Sequence, residues 1–269
     1  MITIAAVQFA PKLGNLKGTI AELDFLLQSI DQKVDLILLP ELANSGYNFN
    51  CKEEALKSAE AISKSVFLDF LKEYAKKMSC AFVTGFCEKT NDKLYNSSVF
   101  LDENGVLGHY RKLHLFLHEK KIFEVGNLGL PVFKFKNYKL GMMICFDYMF
   151  PEVSRQLALK DADFICHPCN LVTNYAFKIM PALALMNSLY IVTCNRIGIE
   201  KDLRFIGKSL VVDYRGNIIT SAKKNQVEII YSQIFPKFSR NKWVTPRNHV
   251  FLDRRLDVYP NILEVPDKR

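Results

Sequence analysis

The chain has 269 residues, of which 49% are hydrophobic and 24% are charged, and its formal net charge is +8 at pH 7. This composition is typical of a globular protein and excludes a disordered chain, a collagen-like repeat and a coiled coil. The apolar stretches are far shorter than the roughly 18 residues of a membrane span, and Lys and Arg are scattered rather than gathered in a stripe, so we expect neither a membrane nor a nucleic-acid partner.

Strand-like and helix-like patterns alternate from one end of the chain to the other. In chain order, apolar alternation or short apolar runs predict strands at residues 3–9, 35–40, 80–86, 96–101, 106–111, 140–145, 163–166, 190–195, 209–213 and 227–232. Apolar residues at helical spacing predict helices at residues 19–30, 52–62, 66–78, 151–159 and through 182–188. This mixture of β–α units and hairpins predicts two mixed sheets packed face to face, with the helices outside.

Two strand pairings are expected from turn signals. A Glu-Asn-Gly turn separates the predicted strands at 96–101 and 106–111 and is typical of a hairpin. The Tyr-Arg-Gly-Asn turn at 214–217 is expected to pair strand 209–213 with strand 227–232.

The chain is expected to form a single domain, residues 1–269, because no linker rich in Gly, Ser or Pro divides it. From about residue 238 the sequence is polar and contains Pro246, Pro260 and Pro266, which is typical of an extended arm. Such an arm needs a surface to lie on, and a neighbouring subunit of a homodimer or larger homo-oligomer could offer one.

The seven cysteines are scattered along the chain and cannot all pair with one another. The N-terminal apolar run has no positive charge before it and contains Gln8, so it is typical of a strand rather than of a secretory signal. Reduced thiols in a cytoplasmic protein are therefore expected.

Cys145 is the first candidate for chemistry, because it ends a predicted buried strand and precedes a predicted helix. A cysteine at such a junction can present its sulfur at the edge of a sheet, with the next backbone N–H in position to donate to an oxyanion. The position alone is also typical of an inert buried cysteine.

Two charged residues follow other predicted strands. Glu41 comes directly after strand 35–40, and α/β folds keep their sites at the carboxyl ends of strands, although a helix cap or a loop acid would fit this position too. Lys112 follows strand 106–111 and precedes an apolar stretch, where a lysine without a partner would be costly. Together with Cys145, these residues place a base, a cation and a thiol after three strands.

In this order and context, the three residues resemble the nitrilase (carbon–nitrogen hydrolase) superfamily, and in particular its single-domain amidase- or nitrilase-like members. The resemblance covers residues 2 to about 232 and is carried by LLPELANSGYNF, YRKLHLF, GMMICFDYMFPE, HPCNLV and RFIGKSLVVDYRGN. It implies an α-β-β-α sandwich of two mixed sheets that dimerises into a longer α-β-β-α-α-β-β-α assembly.

The resemblance also implies a Glu-Lys-Cys triad. Cys145 would be the nucleophile, Glu41 the general base, and Lys112 with the backbone N–H of Phe146 the stabiliser of the oxyanion. The physical chemistry agrees with these roles, because a free thiol is only slightly ionised at neutral pH and needs a neighbouring base and cation. Such a triad requires no metal and no other cofactor.

Five further residues have expected roles. Glu119 matches the position of a second glutamate in the family and would orient Lys112 and the substrate; Glu124 is the weaker candidate, and a surface acid in a Lys-rich helix is the alternative. Tyr47, Phe116 and Phe146 would give the substrate pocket an apolar wall. Asn170, in the strand-end loop that follows Cys169, would also line the pocket.

The expected reaction is hydrolysis of a non-peptide carbon–nitrogen bond in a small amide, which releases ammonia and a carboxylate through an acyl-thioester on Cys145. A true nitrilase, acting on small aliphatic nitriles through a thioimidate, is the first alternative. An acyl transferase or a non-catalytic binding member is the alternative of another class. Tyr148 and Met149 stand where many relatives carry Arg, which argues against an N-carbamoyl amino acid gripped by its carboxylate.

Overall fold

The computed structural model describes residues 1–258, in which strands and helices alternate largely as predicted. The strands are β1 (Ile2–Gln8), β2 (Leu36–Leu38), β3 (Ala81–Thr90), β4 (Lys93–Asp102), β5 (Gly105–Arg111), β6 (Val132–Phe135), β7 (Tyr138–Met142), β8 (Phe164–Cys169), β9 (Tyr190–Asn195), β10 (Ile197–Glu200), β11 (Leu203–Ile206), β12 (Leu210–Val212), β13 (Ile218–Ser221), β14 (Glu228–Ile234), β15 (Trp243–Thr245) and β16 (Asn248–His249). The helices are α1 (Leu16–Gln28), α2 (Lys52–Ser58), α3 (Val66–Met78), α4 (Glu119–Ile122), α5 (Pro151–Leu159) and α6 (Tyr175–Asn187).

Two six-stranded sheets organise the described part of the chain. The first has the order β14-β1-β2-β3-β4-β5 and the second the order β13-β12-β9-β8-β7-β6. In the first sheet β1, β2 and β3 run parallel, and in the second β7, β8 and β9 do. Each sheet is therefore mixed, as predicted, and the carboxyl ends of its parallel strands share one edge.

The alternation of side chains along β1 shows how the layers stack. Ile4 and Ala6 belong to the core that also contains Met142 and other residues of the second sheet. Ala5 and Val7 point the other way, into a core shared with helices α1 and α3. On the far side of the second sheet, α6 contacts β9 and β12 and packs against α5. The resulting order, helices, sheet, sheet, helices, confirms the α-β-β-α sandwich.

The predicted pairing of strand 209–213 with strand 227–232 is wrong. The turn at 214–217 instead joins β12 to β13, and β14 lies in the other sheet, antiparallel to β1. β13 could not be predicted from the sequence, because it is only four residues long and mostly exposed. A strand without a buried face shows no alternation of apolar and polar residues.

The described part of the C-terminal arm lies on its own chain. Arg240 pairs with the buried carboxylate of Asp163, and Lys242 Nζ donates to the backbone oxygens of Asn187 and Ser188 at the end of α6, at 2.8 and 2.9 Å. Beyond residue 258 the predicted arm, with Pro260 and Pro266, lies outside the described residues. Within residues 1–258, none of the helices has the length and hydropathy of a membrane span.

Candidate active site

Four of the predicted site residues follow strands that end at the same edge of the sandwich. Glu41 lies three residues after β2, Lys112 directly after β5, Cys145 three residues after β7 and Asn170 directly after β8. The two sheets pack face to face, so these strand ends bring residues more than 100 positions apart in sequence into one place. Asn170 Nδ2, for example, donates to the backbone oxygen of Glu41 at 3.0 Å, which links the two sheets directly.

A buried group of charges occupies this edge. Lys112 Nζ lies 2.6 Å from Glu41 Oε1 and 2.8 Å from Glu119 Oε1, and all three side chains are almost completely buried. Burial by itself lowers the pKa of Lys112, but the neighbouring charges of Glu119 and Glu41 outweigh it and hold that pKa well above its usual value. Lys112 is therefore a fixed cation across the physiological pH range.

The two carboxylate oxygens of Glu41 have different surroundings. Oε1 accepts hydrogen bonds from Lys112 Nζ and, at 2.7 Å, from Asn96 Nδ2. Oε2 is buried and has no hydrogen-bond partner among residues 1–258. A carboxylate that is held rigidly through one oxygen and has the other free is well arranged to accept a proton from a neighbouring group.

Cys145 occupies a strained turn. Ile144 is still extended, with φ −122° and ψ 123°, but Cys145 has a φ of 39° and opens a short 3₁₀ turn, Cys145–Met149. The predicted strand at 140–145 accordingly ends at Met142. A non-glycine residue in the left-handed region costs of order 1–3 kcal/mol and persists only where its surroundings enforce it; such residues cluster at functional sites.

Asp147 enforces this turn. Its buried carboxylate accepts hydrogen bonds from Tyr110 Oη at 2.7 Å, Ile144 N at 2.9 Å and His114 N at 3.1 Å, and His114 Nδ1 lies 2.8 Å from the same carboxylate. The side chain thus ties the turn that carries Cys145 to the end of β5 and to the segment after Lys112.

His167, in β8, holds the turn from the opposite side. Its Nε2 lies 3.0 Å from the backbone oxygen of Cys145, and its Nδ1 lies 3.0 Å from Thr193 Oγ1. Burial lowers the pKa of His167 to about 4, so the ring is neutral at pH 7. Because a carbonyl oxygen only accepts, Nε2 carries the proton and donates a hydrogen bond to the backbone oxygen of Cys145.

Replacement of Asp147 with asparagine is expected to lower the free energy of unfolding by about 2–4 kcal/mol. Every neighbour of this carboxylate is a donor, so an amide NH₂ would face at least one of them in either orientation. Urea denaturation of the variant measures the effect. Asp213→Asn is the control, because Asp213 accepts hydrogen bonds only at an exposed turn; equal losses in the two variants would contradict the role given to Asp147.

Glu119 is held by donors on both oxygens. Tyr47 Oη donates to Oε1 at 2.7 Å, beside the bond from Lys112, and Phe116 N donates to Oε2 at 3.3 Å. Burial and the charge of Glu41 raise the pKa of Glu119, although Lys112 and Tyr47 pull it down. Helix α4, in which Glu119 is the first residue, therefore contributes a buried carboxylate to the cluster rather than a surface acid.

A cavity of about 320 Å³ opens beside this cluster. Its walls include Tyr47, Phe116, Glu119 and Asn170, so it combines an apolar wall with carboxylate and amide groups, as small-molecule sites usually do. Phe146 lines an adjoining cavity instead, with its ring 5.0 Å from that of Phe116.

Three residues of this site were missed in the sequence. Asn96 stands in a buried strand and begins a run of three polar residues, which is a usable signal for a buried hydrogen-bonding role. Asp147 and His167 carry no such local signal, because most of their partners lie far away in the sequence.

Comparisons with known proteins extend over nearly the whole chain. The family model of carbon–nitrogen hydrolases matches residues 3–240. A nitrilase of Pyrococcus abyssi is 40% identical over 260 residues, which are 96% of this chain and 99% of that protein. An N-carbamoylputrescine amidase of Solanum lycopersicum is 29% identical over 98% of this chain and 95% of its own length. Among solved structures, a carbon–nitrogen hydrolase of Helicobacter pylori G27 superposes with a TM-score of 0.87, at 26% identity and 98% coverage of both chains.

Proposed function

The chain belongs to the carbon–nitrogen hydrolase family, within the nitrilase superfamily, and we propose that it hydrolyses small amides to ammonia and a carboxylate. Membership makes it a hydrolase of carbon–nitrogen bonds other than peptide bonds. The observation that carries the proposal is the buried Lys112, which pairs with both Glu41 and Glu119 at the strand ends where Cys145 also lies.

In the first step, the thiol proton of Cys145 passes to the free Oε2 of Glu41, and the sulfur attacks the amide carbon. The carbonyl electron pair moves onto oxygen, and the resulting oxyanion is stabilised by Lys112 Nζ and by the backbone N–H of Phe146. Fixed donors of this kind typically contribute about 3 kcal/mol each to the transition state. Because Glu41 and Glu119 hold Lys112 Nζ firmly, the side chain would need little reorganisation when the charge develops.

In the second step the carbon–nitrogen bond breaks. The oxyanion collapses to an acyl-thioester on Cys145, and Glu41 returns its proton to the departing nitrogen, which leaves as ammonia. Glu41 then takes a proton from a water molecule, whose oxygen attacks the thioester carbon. Collapse of this second oxyanion expels the sulfur, which recovers its proton, and the carboxylate product is released.

The cavity supports a small amide with a short acyl chain. Asn170 Oδ1 is buried and has no hydrogen-bond partner among residues 1–258, so it can accept an N–H of the substrate amide. Phe116 and the ring of Tyr47 would pack against the acyl chain, while Glu119 would orient Lys112 toward the carbonyl oxygen.

The pH dependence of kcat/KM is expected to reflect Glu119. Because its pKa is raised, mainly by burial, Glu119 takes up a proton at a higher pH than an ordinary glutamate, and activity falls as the pH drops through that raised value. Tyr47→Phe removes a donor that stabilises the carboxylate, so the acid limb should move to higher pH. A pH–rate profile measures this shift; an unmoved limb, or one at lower pH, would contradict it.

A nitrilase activity is the second candidate, and it is favoured by the name of the 40% identical relative from Pyrococcus abyssi. On a nitrile, Cys145 would first form a thioimidate, and attack of water on its carbon would release the nitrogen as ammonia and leave the same thioester. The triad serves both routes, so the substrate and not the cluster decides between them.

Ammonia release over a panel of short-chain amides, ω-amides, carbamoyl compounds and aliphatic nitriles tests the proposal. We expect amides to be turned over and nitriles to be poor substrates; preferential turnover of nitriles would establish the second candidate. Transfer of the acyl group to added hydroxylamine or amines without hydrolysis in their absence would indicate an acyl transferase. No turnover of any compound, with the fold intact, would count against a hydrolytic role for small amides.

We further propose that the protein forms one domain and acts in the cytoplasm as a homodimer or larger homo-oligomer. The cysteines are all unpaired, which fits a reducing compartment. Exposed apolar side chains on α6 and on the arm, Leu185, Met186, Trp243 and Val244, are the support for association. Analytical ultracentrifugation tests this; a monomer at micromolar concentration would contradict it.

A further inference from the structure

A second buried ion pair lies behind the cavity, outside the Glu-Lys-Cys cluster. Glu200, the last residue of β10, pairs with Arg196, and these side chains are only 5% and 2% exposed. We infer that Glu200 is a positioning residue, which holds Tyr47 against Glu119 and so sets the geometry of the catalytic cluster. The inference rests on the proposed function, because it concerns the same Cys145-dependent reaction.

Glu200 holds the segment at residues 46–50, here called the pocket loop. Its Oε2 accepts the backbone N–H of Tyr47 at 3.0 Å and that of Asn48 at 2.8 Å. Asn48 Nδ2 also donates to the backbone oxygen of Glu200 at 2.9 Å. At Gly46, with φ +78°, a Cβ would lie 2.8 Å from Glu200 Oε1, so the loop packs directly on this carboxylate.

Arg196 fixes Glu200 in turn. Its guanidinium donates to Glu200 Oε1 and, at 3.0 Å, to the backbone oxygen of Pro11, and it lies over the ring of Phe205 at 4.2 Å. The ring of Tyr47 packs edge-on against the same phenylalanine, 5.9 Å away. The pocket loop has no helix or strand of its own, so its position depends on such side-chain contacts. Asp202 and Lys201 hold Asn48 at the exposed side of the loop, whereas Glu200 holds the buried backbone of Tyr47.

Three contacts connect Glu200 to the cation of the cluster. The backbone of Tyr47 is held by Glu200, and its hydroxyl donates to Glu119 Oε1 at 2.7 Å. Lys112 Nζ donates to that same oxygen at 2.8 Å. A displaced pocket loop would therefore alter the carboxylate that orients Lys112. A buried ion pair often contributes little net stability, whereas its strict geometry suits it to hold a loop in register.

Glu200→Gln tests the inference, in a double-mutant cycle with Tyr47→Phe. All the groups around the Glu200 carboxylate are donors, so an amide NH₂ must face either Arg196 or the N–H groups of the loop. Asp163→Asn is the matched control: it is also a buried carboxylate paired with an arginine and a backbone N–H, but it lies at the far end of β8, about 20 Å from Asn170.

Glu200→Gln should lower kcat/KM about tenfold in the otherwise unchanged protein and less than about threefold in the Tyr47→Phe background. The acid limb of the Glu200→Gln pH–rate profile should move to higher pH, as in Tyr47→Phe, because a displaced Tyr47 no longer lowers the pKa of Glu119. The other titratable groups that act on Glu119, Lys112 and Glu41, are unchanged in this variant. Full activity of Glu200→Gln, equal losses in both backgrounds, or an equal loss in Asp163→Asn would overturn the inference.

A variant that removes both charges, Arg196→Met with Glu200→Met, covers the case in which Glu200→Gln fails to fold. Replacing both partners of a buried pair with apolar residues is often tolerated, yet it still releases the pocket loop. It should be folded and about tenfold less active; full activity would overturn the inference. Cys145→Ala is measured alongside. If activity survives in Cys145→Ala, the proposed function is refuted, and the inference with it. If activity depends on Cys145 but the effects of Glu200→Gln and Tyr47→Phe are additive, only the inference is refuted.

Discussion

Cys145→Ala is expected to lower kcat/KM for amide hydrolysis by at least about a thousandfold. Without the sulfur no acyl-enzyme can form. Water would have to attack the amide directly, and it is a weaker nucleophile than the cysteine sulfur that the strained turn presents. The remaining donors can still stabilise an oxyanion, so a small residual rate is compatible with this result. Steady-state ammonia release measures the loss.

Cys166→Ala is the matched control for this variant. Cys166 is a fully buried cysteine in the neighbouring strand β8, and burial raises its pKa, which disfavours the nucleophilic thiolate. Its replacement should leave kcat/KM within about twofold. Activity retained in Cys145→Ala, or lost equally in Cys166→Ala, would contradict the assignment of the nucleophile.

Lys112→Met is expected to damage activity and stability together. The substitution keeps most of the side-chain volume but leaves Glu41 and Glu119 buried without their cation. Breaking a buried ion pair by removing one partner typically costs about 3–5 kcal/mol of unfolding free energy. Loss of the oxyanion donor should lower kcat by at least about a hundredfold. Urea denaturation and steady-state kinetics measure the two effects.

The stability loss in Lys112→Met is expected to depend on pH. Without Lys112 the pKa of Glu119 is raised further, because the cation that lowers it is gone, so the destabilisation is full at neutral pH and diminishes as the pH falls and Glu119 takes up a proton. Lys136→Met is the control: this lysine is half-exposed in its ion pair with Asp35 and should contribute less than about 1 kcal/mol. A similar loss in both variants, or a Lys112→Met penalty that grows toward acid pH, would contradict the account.

The strands and the residues that follow them could be predicted because their signals are local. Apolar runs mark β2, β5 and β7, and Glu41, Lys112 and Cys145 are recognisable as polar or reactive residues just after them. The sandwich follows from the same alternation. The correct partner of β14 could not be predicted, because β14 pairs with β1, which lies more than 200 residues earlier in the chain.

The network around the triad could not be predicted because its contacts have no sequence period. Tyr47 and Glu119 are 72 residues apart, and Tyr47 and Glu200 are 153 apart. Asn96 gains its role only when β4 meets the segment after β2, and Asp147 only when the turn after β7 meets β5. Such contacts depend on how the strands are ordered in three dimensions, and single positions give no hint of that order.

The most direct test of the central claim is intact-protein mass spectrometry of rapidly acid-quenched reactions with a turned-over amide, followed by peptide mapping. The account predicts a mass increase equal to the acyl group, located on Cys145, in the wild-type protein and no such adduct in Cys145→Ala. An adduct on another residue would contradict covalent catalysis by Cys145. So would turnover without any adduct at quench times shorter than the lifetime of the acyl-enzyme.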